Sequence, residues 1–370
     1  MKFTIYLGIS ALFLVTIYNI IPHSTAIYLL SEHNTASCKQ TTHDLTCKDP
    51  NLKTTIPNIA NFVFILRDPN SDFPLQFSHF LSLYSAWHYW NPSTIYLHTN
   101  VDANSEAIQR AKNGTAGKWA QKFFNFPHLQ INTITVPTTA SNGQHINGME
   151  HKSDFVRVKA VHDHGGTYID FDVYALQDIK PLRESGYAGI GGKQVDGALN
   201  SGTFMSVKGG AMIKAWMETM HKVYDGSWVR HSNTALTDVS KAFGQNSCEA
   251  LMLDQAAFAP TGYRPYDSQR LFHEYYDDSG LVKRLSHGKK LPDDHNYLGA
   301  DSDGWVSWKK DWSCSYLLHA FSEKKPRNGV AENGISPGSV LARRSIFART
   351  VYPVVKHMYE NGVIDGEDLA

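Results

Sequence analysis

Asp170 and Asp172 stand two residues apart in the run "GGTYIDFDVYAL", Gly165 to Leu176, whose other members read as a strand bound for a protein core. Side chains alternate along a strand, so an extended reading puts Tyr168, Asp170 and Asp172 on one face and Ile169, Phe171 and Val173 on the other. Two carboxylates at that spacing, roughly 6.6 Å between Cα atoms, repel each other. Partial burial then raises at least one pKa unless a cation sits between them. A divalent metal resolves the conflict, because hard oxygen ligands suit Mn2+ or Mg2+ and such ions keep positions open for substrate phosphates. A solvated edge strand with scattered acids is the plainer alternative. It leaves the apolar opposite face and the Gly165-Gly166 entrance unexplained.

Immediately upstream, Lys152 to His164 is amphipathic and Gly165 is placed to cap its end. Asp154 and Arg157 are three residues apart and therefore neighbours on one helix face. Such a pair on a surface contributes little, but Phe155, Val158 and Val161 turn this helix onto the strand that bears the acids. His162 and His164 lie close by, yet the following Gly-Gly-Thr lacks the further Asp and His of a metallohydrolase. They fit the end of a helix, where positive charge is tolerated.

The elements that must position these groups alternate. Asn61 to Leu66, Thr94 to His98 and Gln130 to Val136 are short β-branched and aromatic runs, with a helical pattern from Phe77 to Trp90 between the first two. This order predicts an α/β domain with a mostly parallel sheet and a ligand site at the carboxyl ends of its strands. Beyond Leu251 the pattern blurs into aromatic and Asp/Gly-rich pieces, followed by one helical stretch, Ser345 to Tyr359, that contains Pro353. A chain of 370 residues, 42% hydrophobic, can bury one large core or two modest ones. Lys plus Arg equal Asp plus Glu at 35 each, so no basic surplus points to nucleic acid, and a polyanionic ligand must be handled locally.

Phe3 to Ile21 carries no charge and follows Lys2, close to the roughly 20 residues a helix needs to cross a bilayer. A cleaved signal peptide is the rival reading, with Ser24-Thr25-Ala26 as a small-residue cleavage site. Either one sends the remainder into the secretory lumen. The expected organisation is a membrane anchor over 1–22, a polar luminal stem over 23–55, the main α/β domain over 56–330 and a C-terminal helical extension over 331–370. Four cysteines agree with an oxidising compartment, Cys38 with Cys47 closing a short loop and Cys248 with Cys314 as a second bridge, or a buried unpaired second pair. The tripeptide Asn113-Gly114-Thr115 is an acceptable glycosylation sequon.

The run Ser153-Asp154-Phe155-Val156-Arg157, followed by Gly165 through Val173, resembles the sugar-binding Asp-x-Asp region of family 32 glycosyltransferases. That group includes fungal α-1,6-mannosyl- and mannosylinositol-phosphoceramide-forming enzymes and is similar to animal α-1,4-galactosyl- and N-acetylglucosaminyltransferases. The match is strong over about residues 150 to 215 and thinner from Ile56 to His319. The resemblance implies a GT-A fold and retaining transfer of a hexose from a nucleotide sugar, GDP-mannose favoured and a UDP-hexose possible, to a glycan or glycolipid acceptor in the Golgi or another secretory membrane. It further implies that Asp170 and Asp172 hold Mn2+ (or Mg2+) against the donor pyrophosphate, with His319 of "SYLLHAF" as third ligand. Asp154, Arg157 and Tyr168 would meet the donor sugar, and so would Asn200, although Ser201 stands where the family has a second Asn. Asn61 and Phe64 replace the His and Trp of the family's early strand, and Phe64 is open to base stacking or core packing. Catalysis would rest on Asp170, Asp172 and Arg157, while Glu249 and Asp254 are the acids available should a protein nucleophile be required. The alternative function is a luminal sugar-binding or inactive homologue, against which the intact motif positions argue.

Overall fold

The computed structural model describes residues 45–49, 54–244, 247–273, 312–321 and 334–369. The chain divides into two compact units, Met1–Lys39 and Gln40–Ala370, and all the described residues belong to the second. The expected anchor, most of the stem, Ser24-Thr25-Ala26 and Cys38 lie outside the described residues, as do 274–280 and 301–311 of the Asp/Gly-rich tract. Among the described residues no helix is long and apolar enough to cross a membrane.

The strands are β1 (Ile59–Val63), β2 (Thr94–Thr99), β3 (Leu129–Thr133), β4 (Gly166–Ile169), β5 (Val173–Ala175), β6 (Gly189–Lys193), β7 (Leu199–Ser206), β8 (Leu251–Leu253) and β9 (Leu317–His319). The helices that matter below are α1 (Phe77–Trp90), α2 (Met149–His164), α3 (Ala211–Val223), α4 (Ala235–Phe243) and α5 (Ile346–Glu360). Seven strands form one mixed sheet in the order β3-β2-β1-β4-β7-β6-β8, and β5 pairs with β9 in a separate two-stranded ribbon. Four of the six neighbouring pairs in the large sheet are parallel; only β7 runs against its neighbours β4 and β6. The expected α/β domain with a mostly parallel sheet is therefore present. Because β7 is reversed, its first residues, Leu199 to Ser201, arrive at the same sheet edge as the carboxyl ends of the parallel strands.

Alternation along the strands divides the core in two. Phe62, Ile169 and Met205 join α1 on one face, whereas Val63, Tyr168 and Phe204 join α2, α3 and α4 on the other. The crossing from α2 into β4 explains the Gly-Gly pair. Gly165 closes the helix through its N–H to Val161 O at φ 72°, and Gly166 follows at φ 93°, where a Cβ would strike the carbonyl of Ile59. Both positions need the freedom only glycine has. The C-terminal helix α5 docks on α1, with Tyr84 Oη and His357 Nδ1 2.9 Å apart.

Two expectations are corrected. The acids do not continue the β4 face: the strand ends at Ile169, and Asp170-Phe171-Asp172 form a turn that hands the chain from the large sheet to β5. The Asp170 N–H still bonds Gly202 O at 2.9 Å, after which the Val173 N–H folds back onto Asp170 O at 3.0 Å. Cysteine spacing also misled, because the bridge joins Cys47 to Cys248, 201 residues apart, at a Cα separation of 5.5 Å. The Cys47 N–H donates to Ser185 O at 2.8 Å, which lays the early segment beside the entrance to β8. Contact made in the fold, not nearness in sequence, sets the pairing. Cys314 is disulfide-bonded as well.

Asn61, the early-strand substitution, belongs to a buried polar chain across β1, β2 and β3. Its Nδ2 donates to Gly165 O at 3.0 Å, so its Oδ1 must accept from His98 Nε2, 3.0 Å away. His98 Nδ1 in turn accepts from Asn132 Nδ2 at 2.8 Å. Burial, with a smaller push from His164, lowers the His98 pKa to about 3. The unfolded chain thus binds a proton that the folded one refuses between about pH 6.5 and 3, and stability must fall with pH across that window. Urea unfolding of wild type should lose about 1.4 kcal/mol per pH unit more than His98→Gln; equal slopes would show that His98 does not carry this dependence.

Candidate metal centre and sugar site

The turn that carries the acids is pinned from α1. Ser82 Oγ donates to Val173 O at 2.7 Å, and Ser85 Oγ accepts the Ala175 N–H at 2.9 Å. Both serines are buried. Phe171 packs on Phe62 and Phe64, at ring separations of 5.1 and 5.6 Å. The carboxylates on either side of it remain 26% and 27% exposed, open enough to meet a ligand and enclosed enough to feel their charge.

The ribbon brings the third group. In the β5–β9 register His319 lies opposite Val173, and the Ala320 N–H donates to Asp172 O at 2.9 Å. His319 Nε2 comes to 3.3 Å from Asp172 Oδ1. One ligand atom each from Asp170, Asp172 and His319 lies within 4.8 Å of the others. Two carboxylates and one imidazole suit a divalent ion such as Mn2+, and the donor set fits what the sequence nominated. Burial raises the Asp170 pKa and the nearby Asp172 adds to the rise, while Arg157, Tyr168 and His319 work against it. A cation at this place would relieve that cost.

Arg157 lies beneath the pair. Its Nη1 donates to Asp170 Oδ2 at 3.2 Å and to Ser201 O at 3.1 Å, its Nη2 meets Asp154 Oδ1 at 3.1 Å, and its guanidinium sits 4.8 Å from the centre of the Tyr168 ring. Burial disfavours the charge, but Asp170 and the other acidic groups around it more than compensate, so the pKa of Arg157 moves upward. Tyr168 is buried and donates its hydroxyl to Asp170 Oδ1. Burial first, with Asp170, raises its pKa well above the usual phenol value and keeps it a donor.

Asp154 pairs on its other side with His231, whose Nε2 is 2.8 Å from Asp154 Oδ2. Both carboxylate oxygens of Asp154 are thereby engaged by the protein, tying α2 to the π-helical turn Arg230–Thr234. The Asn200 amide is similarly committed: Oδ1 accepts the Gly202 N–H at 2.7 Å and lies 3.0 Å from His319 Nδ1, and Nδ2 donates to Gln194 Oε1 at 2.8 Å. Phe64 is half-buried among Phe73, His79 and Phe171. Of the two acids considered as nucleophiles, Asp254 follows β8 at this edge and meets Lys193 at 3.3 Å, whereas Glu249 precedes β8 and lies toward the opposite edge.

Several participants carried no sequence signal. His231 lies 77 residues from its partner Asp154. His79, whose Nδ1 accepts the Gln76 N–H at 2.8 Å, feels the charge of Asp172, though burial has the larger influence and lowers its pKa. Gly202 lies within β7, and a Cβ there would come within 2.6 Å of His319 Cε1, 2.8 Å of Asn200 Oδ1 and 2.9 Å of Asp170 Oδ2. A short "NSG" at the start of a strand beside an Asp-x-Asp turn is the only hint the sequence offered.

Comparison with known proteins places the same segment in a sugar-handling context. A family described as "Glycosyltransferase sugar-binding region containing DXD motif" matches residues 78–188, from α1 through both aspartates. Among solved structures, the PaToxG glycosyltransferase is 11% identical over 50% of this chain and 68% of its own, with a TM-score of 0.36. The glycosyltransferase GlyE of Streptococcus pneumoniae TIGR4 is 10% identical over 84% of this chain and 64% of its own, at 0.38, and its apo form is 10% identical over 83% and 64%, at 0.37. This chain thus spans about two thirds of the length of those proteins. No curated protein matches it.

Proposed function

We propose that this chain is a metal-dependent, retaining glycosyltransferase of GT-A type that moves a hexose from a nucleotide sugar, GDP-mannose before UDP-hexoses, to a glycan or glycolipid acceptor. The observation that carries the reading is the convergence of Asp170, Asp172 and His319 at the carboxyl edge of the sheet, the two aspartates lying inside the segment 78–188 that matches a glycosyltransferase sugar-binding region. A bound Mn2+ or Mg2+ would supply positive charge against the donor pyrophosphate. Arg157, held protonated beside the pair, adds a fixed charge that favours departure of the nucleoside diphosphate without reorganising during the reaction. Asp154 and Tyr168 hold that guanidinium in place. Attack by the acceptor on the face the leaving group departs from accounts for retention without a protein nucleophile. The Cys47–Cys248 bridge and the exposed sequon at Asn113 support a secretory lumen.

A thermal-shift panel tests this directly. GDP-mannose, UDP-galactose, UDP-glucose and UDP-N-acetylglucosamine are each added with and without Mn2+, and the true donor should raise the unfolding temperature in a metal-dependent way and be hydrolysed slowly. Metal-independent sugar binding with no hydrolysis or transfer would leave a sugar-binding protein in place of an enzyme.

A further inference from the structure

We infer that Asn200 is a positioning residue that fixes the tautomer of His319, so that the Nε2 lone pair is presented to the two aspartates; this rests on the metal reading proposed above. The orientation of the Asn200 amide is set by groups that cannot exchange roles. The Gly202 N–H is a donor only, so the atom it meets at 2.7 Å must be the amide oxygen. On the other side Nδ2 donates to Gln194 Oε1 at 2.8 Å, and Gln194 Oε1 also faces Asn233 Nδ2 at 3.3 Å. Since Asn200 Oδ1 can only accept, His319 Nδ1 at 3.0 Å must donate to it. In the neutral imidazole the hydrogen is then on Nδ1 and the lone pair on Nε2, the atom 3.3 Å from Asp172 Oδ1.

A metal ligand needs this arrangement, because the coordinating nitrogen must be unprotonated and the other nitrogen is best held by a hydrogen bond. His319 and Asn200 are both buried, and the His319 ring is also stacked on Phe321 at 3.8 Å. Ring and amide are thus held by neighbours on three sides. Asn200 acts through His319, holding the ring nitrogen opposite the one that faces Asp172.

The test uses the full chain with 15N-labelled histidine, Mn2+ as the probe, and the variants Asn200→Ala and Asn200→Asp; His319→Gln identifies the His319 signal among the 18 histidines. Without metal, the wild-type nitrogen shifts should report Nδ1–H at His319. Asn200→Ala should move the population toward Nε2–H and weaken Mn2+ binding about 10- to 100-fold. Asn200→Asp keeps an acceptor for Gly202 and His319 but loses the donor to Gln194, so it should bind Mn2+ within about threefold of wild type if the tautomer is what matters. A purely structural role, exerted through Gln194, would make Asp and Ala equally poor and would overturn the inference. So would a neutral wild-type imidazole with its hydrogen on Nε2, a measurement that needs neither variant to fold. A wild type with Nδ1–H that binds no Mn2+ would overturn the metal reading, and with it the role given to Asn200.

Discussion

Asp172→Asn and Asp170→Asn should each abolish the proposed metal-dependent transfer, by about 10³-fold or more, while the metal-free protein should unfold at the same urea concentration as wild type or a higher one. The loss corresponds to about 4 kcal/mol of transition-state stabilisation, the scale expected when a charged ligand that holds a catalytic ion is neutralised. The stability half follows from the direction of the Asp170 shift. Its pKa is raised in the fold, by burial first and by Asp172 among the charges, so the folded chain binds a proton more readily than the unfolded one in the window above the ordinary carboxylate value. Stability therefore declines as pH rises through that window, and above it the ionised Asp170 is a burden on the metal-free fold. An amide of the same shape removes the burden. It leaves Arg157 its contacts with Asp154 and Ser201 O, both at 3.1 Å, and leaves the Tyr168 hydroxyl an oxygen to donate to. Urea unfolding in EDTA at pH 7, set beside transfer in Mn2+, separates the two effects. Activity and stability lost together would mean that the acids are structural.

The sequence made the helix, the Gly-Gly crossing and the acid pair legible because each obeys a local rule. Phe77–Trp90 was read with its observed ends from apolar spacing alone, and Gly165 was identified as the terminus of α2 from its place after the periodic run. The acid turn was misread as a strand continuation because β4, the turn and β5 are all apolar-rich, and nothing local reveals that the chain changes sheets after Ile169. What makes the turn stable is remote: Ser82 and Ser85 on α1 and the Gly202 carbonyl on β7. The partners of the nominated residues were likewise hidden, since Asp154 meets His231 and Asn200 meets His319 across 77 and 119 positions. Periodicity reports which face a residue takes, and only the folded chain shows what waits on that face. The cysteines make the same point, for a short loop was the natural reading and the bridge instead spans most of the domain.

Gly202→Ala should cost more activity than any other single-methyl change on β7, because the added carbon falls on three members of the site at once. The positions it would take lie 2.6 Å from His319 Cε1, 2.8 Å from Asn200 Oδ1 and 2.9 Å from Asp170 Oδ2, all below the approach that real Cβ atoms make. Gly202 has no left-handed backbone angle, so the effect is crowding rather than strain in the chain. The neighbours have little room to yield. His319 is stacked on Phe321, Asn200 is bonded to Gln194 and to the Gly202 N–H, and Asp170 is held by Tyr168 and Arg157. Overpacking of this kind costs about 1–3 kcal/mol of stability. The catalytic loss should be larger, about 10²-fold or more, since a displacement near 1 Å at a site of this kind is enough for that. Gly366→Ala, where a Cβ would meet nothing within 4 Å and the backbone is not left-handed, is the matching control and should leave both properties unchanged. The variants are compared by urea midpoint and by Mn2+ titration of transfer. Wild-type Mn2+ response in Gly202→Ala would show that His319, Asn200 and Asp170 are not held together as tightly as their packing implies.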